Sequence, residues 1–380
     1  MSKFNTTLIH GGRIDDNQTG AINTPVYNSS TYVYPKFGAD VRWDYERSGN
    51  PTRASLEQLL AKLENGIAGF AFASGMAAIT AAFSIFKPGD NIVIGDNIYG
   101  GTFRYINDYL KPNGVTFTSV DTRDSKAVEN AISPETKAIY FETVTNPLLQ
   151  LTDVRQITAI AKKHQILTVI DNTFLSPYLQ QPLNLGADIV IHSATKYLAG
   201  HSDLIAGVVV VKDKKVADQI YNYQNTTGAV LPPQECSILQ RGIQTLAVRM
   251  DRHLFNVEKI IDFLENDSHI QTIHYPGHDG DKNFDAIKDE CKGFGGVLSF
   301  ELKPGLDAKA FVNHIKMISF AVSLGSVESL AEVPAFQSHA EIPREERLKV
   351  GIKDELIRLS VGLEDYHDLI DDLKQALEFV

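Results

Sequence analysis

The chain has 380 residues, 43% of them hydrophobic, and 47 acidic against 36 basic side chains give a net charge of -11. No basic stripe speaks for nucleic acid, two cysteines (Cys236 and Cys291) make neither a disulfide framework nor a metal-ligand spacing, and no apolar stretch reaches membrane-spanning length. With no apolar signal region in the opening Met-Ser-Lys-Phe-Asn, the expectation is a cytoplasmic enzyme or scaffold of two or three domains, with no nucleic-acid or membrane partner.

Residues 1–55 read as irregular, because Gly11-Gly12, Gly20, Pro25, Pro35, Gly38 and Gly49-Asn50-Pro51 interrupt any period. The segment nevertheless carries Tyr27, Tyr32, Tyr34, Trp43 and Tyr45, so it is expected to pack on another surface such as a second subunit. Thr52 reads as the N-cap of a helix over 53–64, with Leu56, Leu59, Leu60 and Leu63 on one face.

Strands and helices then alternate to about residue 215. A strand over 68–73 runs into Ser74-Gly75-Met76 and a helix to 86. A strand, a Ser-Gly turn and a helix N-terminus suit an anion, and equally suit a plain turn. A strand over 91–95 leads to Tyr99, which reads either as a ligand contact or as a core tyrosine. Further strands over 115–120 and 136–142 follow, the second ending near Asn146-Pro147. The apolar strand at 166–170 ends in Asp171, an acid that is costly to bury unless it meets a cation or caps a turn.

The next strand, at 189–191, opens into Ser193-Ala-Thr195-Lys196-Tyr197, and a further strand pattern covers 205–211. A desolvated lysine at a strand mouth is an electrophile-capturing amine, and Ser193 and Thr195 beside it are phosphate donors. The combination suggests a Schiff base with pyridoxal phosphate, while a solvated loop lysine is the plainer alternative. The alternation predicts a mostly parallel sheet covered on both faces, with ligands outside the strand C-termini. Ser74, Tyr99, Asn146, Asp171 and Lys196 all fall on that rim.

Beyond residue 216 a long helical region begins at Pro232-Pro233 and runs to about 264, with room for a kink or break near Gly242. A smaller unit follows. It has a strand over 295–302, a helix over 308–316, a strand or loop edge over 320–326, a strand over 356–361 and a closing helix over 365–380. Arg358, pointing into the cleft, would clamp a carboxylate; on the surface it would form a salt bridge.

Several stretches together resemble one family. They are Thr24-Pro-Val-Tyr27, Tyr45-Glu-Arg47-Ser-Gly-Asn-Pro-Thr52, Ser74-Gly-Met76, Asp171-Asn-Thr173, Ser193-Ala-Thr-Lys-Tyr197 with Gly200-His-Ser-Asp203, Ser323-Leu-Gly325 and Arg358-Leu-Ser-Val-Gly-Leu-Glu364. The chain is similar over nearly its whole length to the pyridoxal-phosphate enzymes of cysteine and methionine metabolism: cystathionine lyases and synthases, methionine gamma-lyase and homoserine sulfhydrylases. The resemblance implies the aspartate-aminotransferase-like α/β fold (fold type I): an arm over 1–55 on a neighbouring subunit, a cofactor-binding domain over 56–240 with a mostly parallel seven-stranded sheet, and a linker helix with a smaller α/β domain over 241–380. It implies a homotetramer of dimers with shared active sites.

By the same resemblance Lys196 carries the cofactor, Asp171 pairs with its ring nitrogen and Tyr99 stacks on the ring. Ser74, Gly75, Met76, Ser193 and Thr195 hold its phosphate, joined by Tyr45 and Arg47 from the neighbouring subunit. Asn146, Ser323 and Arg358 match residues that position the cofactor or the substrate carboxylate. Gly101 stands where methionine gamma-lyases carry a reactive cysteine, and Val322 where gamma-lyases and gamma-synthases often place a glutamate. The expected activity is therefore carbon–sulfur cleavage of cystathionine, with beta-elimination first and gamma-lyase, gamma-synthase or acetylhomoserine sulfhydrylase activity as alternatives.

Overall fold

Apolar runs of about five residues build the larger sheet, and their alternation serves two cores at once. Val208 and Val210 face one core, and Val209 and Val211 face the other. Strands buried on both faces read as continuous apolar runs, as these do. The computed structural model describes residues 3–14, 19–278 and 283–380. Among the described residues this sheet has seven strands: β1 (Ala68–Phe72), β2 (Asn91–Gly95), β3 (Thr116–Val120), β4 (Thr136–Glu142), β5 (Leu167–Asp171), β6 (Ile189–Ser193) and β7 (Gly207–Val211). They lie in the order β1-β7-β6-β5-β4-β2-β3. Pairings among β2 to β6 are parallel, and β7 alone runs antiparallel to both its neighbours, β1 and β6.

A second sheet, five-stranded among the described residues, follows in the order β10-β11-β12-β9-β8. Its strands are β8 (Ile270–His274), β9 (Val297–Leu302), β10 (Ser319–Phe320), β11 (Leu330–Glu332) and β12 (Leu356–Ser360). Its core is shared with the helices Leu246–Leu264 and Tyr366–Leu377.

The structure corrects the sequence reading at several points. The N-terminal segment is not wholly irregular: Phe4–His10 is a helix whose Leu8 is buried in the core beside Leu59. The next helix is Pro51–Glu64, capped by Asn50 rather than Thr52. Asn50 accepts from the amides of Thr52 and Arg53, and Pro51 supplies a helical φ at the first position. Thr52 instead ties down the arm, accepting from Tyr27 N and donating to Pro25 O. The helix from Gly75 stops at Phe83, short of Pro88, before which helical backbone is disfavoured. The break read near Gly242 falls three residues on, at Thr245. Gly242 is helical, and the Lys196 turn lies against it: a Cβ there would collide with the Ala199 carbonyl oxygen. The stretch 320–326 holds strand only at Ser319–Phe320, because Ser323 (φ 95°) and Gly325 (φ 76°) turn the chain away.

Register now positions the rim. Glu142 pairs with Asp171 and Asp171 with Ile191, so β4 and β5 end level and β6 runs two residues further, to Ser193. The Ser74–Gly75 turn sits on the start of β7, where a Cβ at Gly207 would collide with the Ser74 carbonyl oxygen. Gly207→Ala is expected to cost about 1–3 kcal/mol through this backbone clash, seen as a lower urea midpoint. An unchanged midpoint would mean that the turn does not rest on β7.

Candidate functional site

Lys196 occupies a tight turn that follows β6. Its amide donates to Ser193 O (3.1 Å) and its carbonyl accepts from Gly200 N (2.8 Å). Gly200, at φ 74°, lets the chain pass close over the buried Arg249, which donates to Tyr197 O (2.8 Å) and Gly242 O (2.8 Å). The turn therefore cannot swing, and the lysine side chain leaves it toward the C-terminal unit. There Nζ donates to Ser323 Oγ at 2.8 Å. Burial, together with the Arg358 guanidinium, brings the amine down to about 8, with Glu332 acting in the opposite sense. Desolvation disfavours the ammonium and so makes the lysine a nucleophile near neutral pH.

Two buried carboxyl groups stand side by side below it, Asp171 at the end of β5 and Glu142 at the end of β4. Asp171 Oδ1 accepts from Thr173 N (3.0 Å) and Thr173 Oγ1 (2.5 Å), and the same hydroxyl accepts from Ser193 N (2.8 Å). Burial pushes the Asp171 carboxyl up and the Thr173 hydrogen bonds oppose that. Glu142 is pushed well above the ordinary carboxylate range, by burial and then by the Asp171 charge, against a single bond from Tyr99 N (2.5 Å). The environments separate the two acids: Glu142 is the one to hold a proton, and Asp171 the one to carry charge. Tyr99, anchored by that backbone bond, leaves its ring half exposed.

The Ser74 side chain accepts from Ala77 N (3.0 Å) and caps the helix Gly75–Phe83. Helix geometry leaves the Gly75 and Met76 amides without intrahelical acceptors. Gly75 approaches Ser193 so closely that a Cβ would lie 2.9 Å from its Oγ. Thr195 Oγ1 is already engaged, 3.0 Å from Ala206 N and 3.2 Å from Ala206 O. At Gly101 a Cβ would stand 2.6 Å from the Tyr99 ring and 2.8 Å from Met76 Sδ, so a side chain there would displace that ring.

Arg358 is buried at the opposite wall. Nη1 donates to Asn146 Oδ1 (2.9 Å) and Nη2 to Ser323 O (2.6 Å). Ser323 thus touches Lys196 through its hydroxyl and Arg358 through its carbonyl. Lys196, Ser323, Asn146 and Arg358 form one bonded group; Asp171 and Ser193 join through Thr173. Tyr45 and Arg47 do not enter either network. Arg47 stacks over the Tyr45 ring and donates to Asn225 O (2.7 Å), on the helix Lys214–Thr227. Sequence reasoning passed over Glu142 and Glu332, and gave Thr173 no role beyond its place in the Asp171-Asn-Thr173 stretch. Glu142 carried the same signal as Asp171, an acid closing an apolar strand.

The residues present fit pyridoxal phosphate. The helix N-terminus beside Ser193 offers amides and hydroxyls to a phosphate, with glycines where side chains would fill the space. Asp171 is a buried acid that awaits a cation. Lys196 is an amine within the same crevice.

The description "Cys/Met metabolism PLP-dependent enzyme" belongs to the family model that matches residues 5–378. The chain is 50% identical over 378 residues to a cystathionine beta-lyase of Lactococcus lactis, covering 100% of both chains. It is also 50% identical over 376 residues to a cystathionine gamma-lyase of Bacillus subtilis, covering 99% of both. The crystal structure of cystathionine gamma-lyase from Lactobacillus plantarum complexed with L-serine matches with a TM-score of 0.97 at 52% identity, over 100% of this chain and 99% of that one.

Only an unprotonated amine condenses with an aldehyde. Addition of pyridoxal phosphate to the cofactor-free protein should therefore accelerate about tenfold per pH unit up to about 8 and then level off. Stopped-flow absorbance reads this; a rate still climbing toward 10.5, the ordinary lysine value, would contradict a desolvated Lys196.

Proposed function

The chain belongs to the Cys/Met metabolism PLP-dependent enzymes, and from that premise we propose that it is a carbon–sulfur lyase acting on cystathionine, with beta-elimination to homocysteine, pyruvate and ammonia as its favoured reaction. Bound pyridoxal phosphate supplies a protonated ring that draws electrons from the substrate Cα.

The observation that carries the reading is the double role of Ser323. Its hydroxyl holds the Lys196 amine at 2.8 Å and its carbonyl holds the Arg358 guanidinium at 2.6 Å. An amino acid seated by its carboxylate on Arg358 brings its Cα proton toward Lys196 Nζ. With its amine lowered to about 8, Lys196 takes that proton near neutral pH and returns one to the departing sulfur. Asp171, fixed by Thr173, would supply a negative charge to the ring nitrogen. Tyr99 would face the ring, and Ser74, Gly75, Met76, Ser193 and Thr195 would hold the phosphate. Tyr45 and Arg47 serve the phosphate of an adjoining copy in a homotetramer. The exposed Val33, Tyr34 and Phe37 of the same segment support a subunit contact there.

Beta-elimination is favoured by Val322, which borders Ser323 and is 55% exposed. An apolar, uncharged side chain stands there, where the resemblance places a glutamate in gamma-lyases and gamma-synthases. Similarity to both beta- and gamma-lyases at 50% identity keeps gamma-cleavage as the second reading. Incubation with L-cystathionine distinguishes them by the keto acid formed. Pyruvate with homocysteine is expected; 2-oxobutyrate with cysteine would overturn the preference for beta-elimination.

A further inference from the structure

β11 and β12 pair so that Glu332 stands directly across from Arg358. Their side chains meet at 2.9 Å (Nη1 to Oε1), and both are withdrawn from water, at 4% and 0% exposure. Nη1 therefore serves two acceptors, Glu332 Oε1 and Asn146 Oδ1, while Nη2 spends one N–H on Ser323 O. Ser338 Oγ also donates to Glu332 Oε1, at 2.7 Å. The pairing is incomplete: among the described residues, neither Arg358 Nε nor Glu332 Oε2 has a hydrogen-bond partner. A buried ion pair with unpartnered atoms on both sides is a poor source of stability, because desolvation is not offset. Its place at the substrate-facing arginine calls for another role.

We propose that Glu332 is a positioning residue that presets the carboxylate affinity of Arg358, holding one side of the guanidinium and offsetting part of its charge. The inference rests on the reading of Arg358 as the carboxylate-binding residue. A substrate carboxylate then meets an oriented, half-compensated donor instead of a bare cation. Binding is correctly aligned yet weaker than a lone buried arginine would give, and a carboxylate product leaves more readily. Two carboxylates on one guanidinium repel each other, and inside a protein that repulsion is felt in affinity.

The test is a spectral titration of the holoenzyme, following the cofactor absorbance, with glycine and with methylamine, which has an amine but no carboxylate. Glu332→Gln keeps the shape and removes the charge. Kd for glycine should fall about tenfold relative to Kd for methylamine, which reports any change at the Lys196 amine that loss of the Glu332 charge causes. Ser338→Ala leaves the charge and removes a competing donor. It should shift glycine the other way, raising its Kd about twofold. Arg358→Gln should abolish the preference for glycine over methylamine. If that preference survives in Arg358→Gln, the underlying reading of Arg358 is wrong. If it is lost there, yet glycine gains nothing over methylamine in Glu332→Gln, the role given to Glu332 is wrong. Should Glu332→Gln fail to fold, an unchanged or lowered glycine Kd in Ser338→Ala overturns the proposal by itself.

Discussion

The hydrogen bond from Lys196 Nζ to Ser323 Oγ spans the two halves of the molecule. One partner stands on the rim of the larger sheet, the other on the loop between β10 and β11. Nearly everything around it serves to keep that geometry. Tyr197 accepts from Gly296 N (2.8 Å), Val327 N donates to Gly200 O (3.0 Å) and Gly325 N donates to Ser360 Oγ (2.8 Å). Arg249 grips the lysine turn and ties it to Gly242 and to Thr245 at the helix break. Without these ties the amine would regain water and its ordinary basicity. With them it is held in a low-dielectric crevice, where a neutral lysine is affordable.

The same burial that activates the amine charges a toll elsewhere. Asp171, Glu142, Arg358 and Glu332 are ionisable groups removed from water within one crevice. Each is satisfied only in part by protein. Asp171 has the two Thr173 donors, Glu142 has the Tyr99 amide, and the Arg358–Glu332 pair leaves one atom on each side without a partner. Groups held in this way are prepared for a charged, hydrogen-bonding occupant. On the proposed reading, a pyridinium nitrogen would answer Asp171 and a substrate carboxylate would answer Arg358.

Much of this was legible in the sequence because strand ends announce themselves. Lys196 and Asp171 each follow an apolar run too hydrophobic to be loop, so their place at the sheet rim needed only the alternation of strands and helices. Glu142 closes a strand in the same manner and escaped notice, since nothing local says what an acid there would meet. Its meaning depends on the register that sets it beside Asp171. Glu332 was hidden for a different reason: β11 is three residues long, too short for any period to register. The helix at Phe4–His10 buries only Leu8 and so shows no apolar stripe. Asn50 outcompeted Thr52 as a cap because Pro51 fits the first helical position, a detail decided by backbone and not by hydrophobic pattern. Tyr45 and Arg47 were read from a resemblance alone; within one chain Arg47 bonds to Asn225 and stacks over the Tyr45 ring.

The central claim is that Lys196 is the amine that holds the cofactor. Borohydride reduction of the pyridoxal-phosphate-loaded protein, followed by proteolysis and peptide mass spectrometry, tests it directly. The account predicts a phosphopyridoxyl group on the peptide that contains Lys196 and on no other. A label on a different lysine, or no label at all, would contradict it.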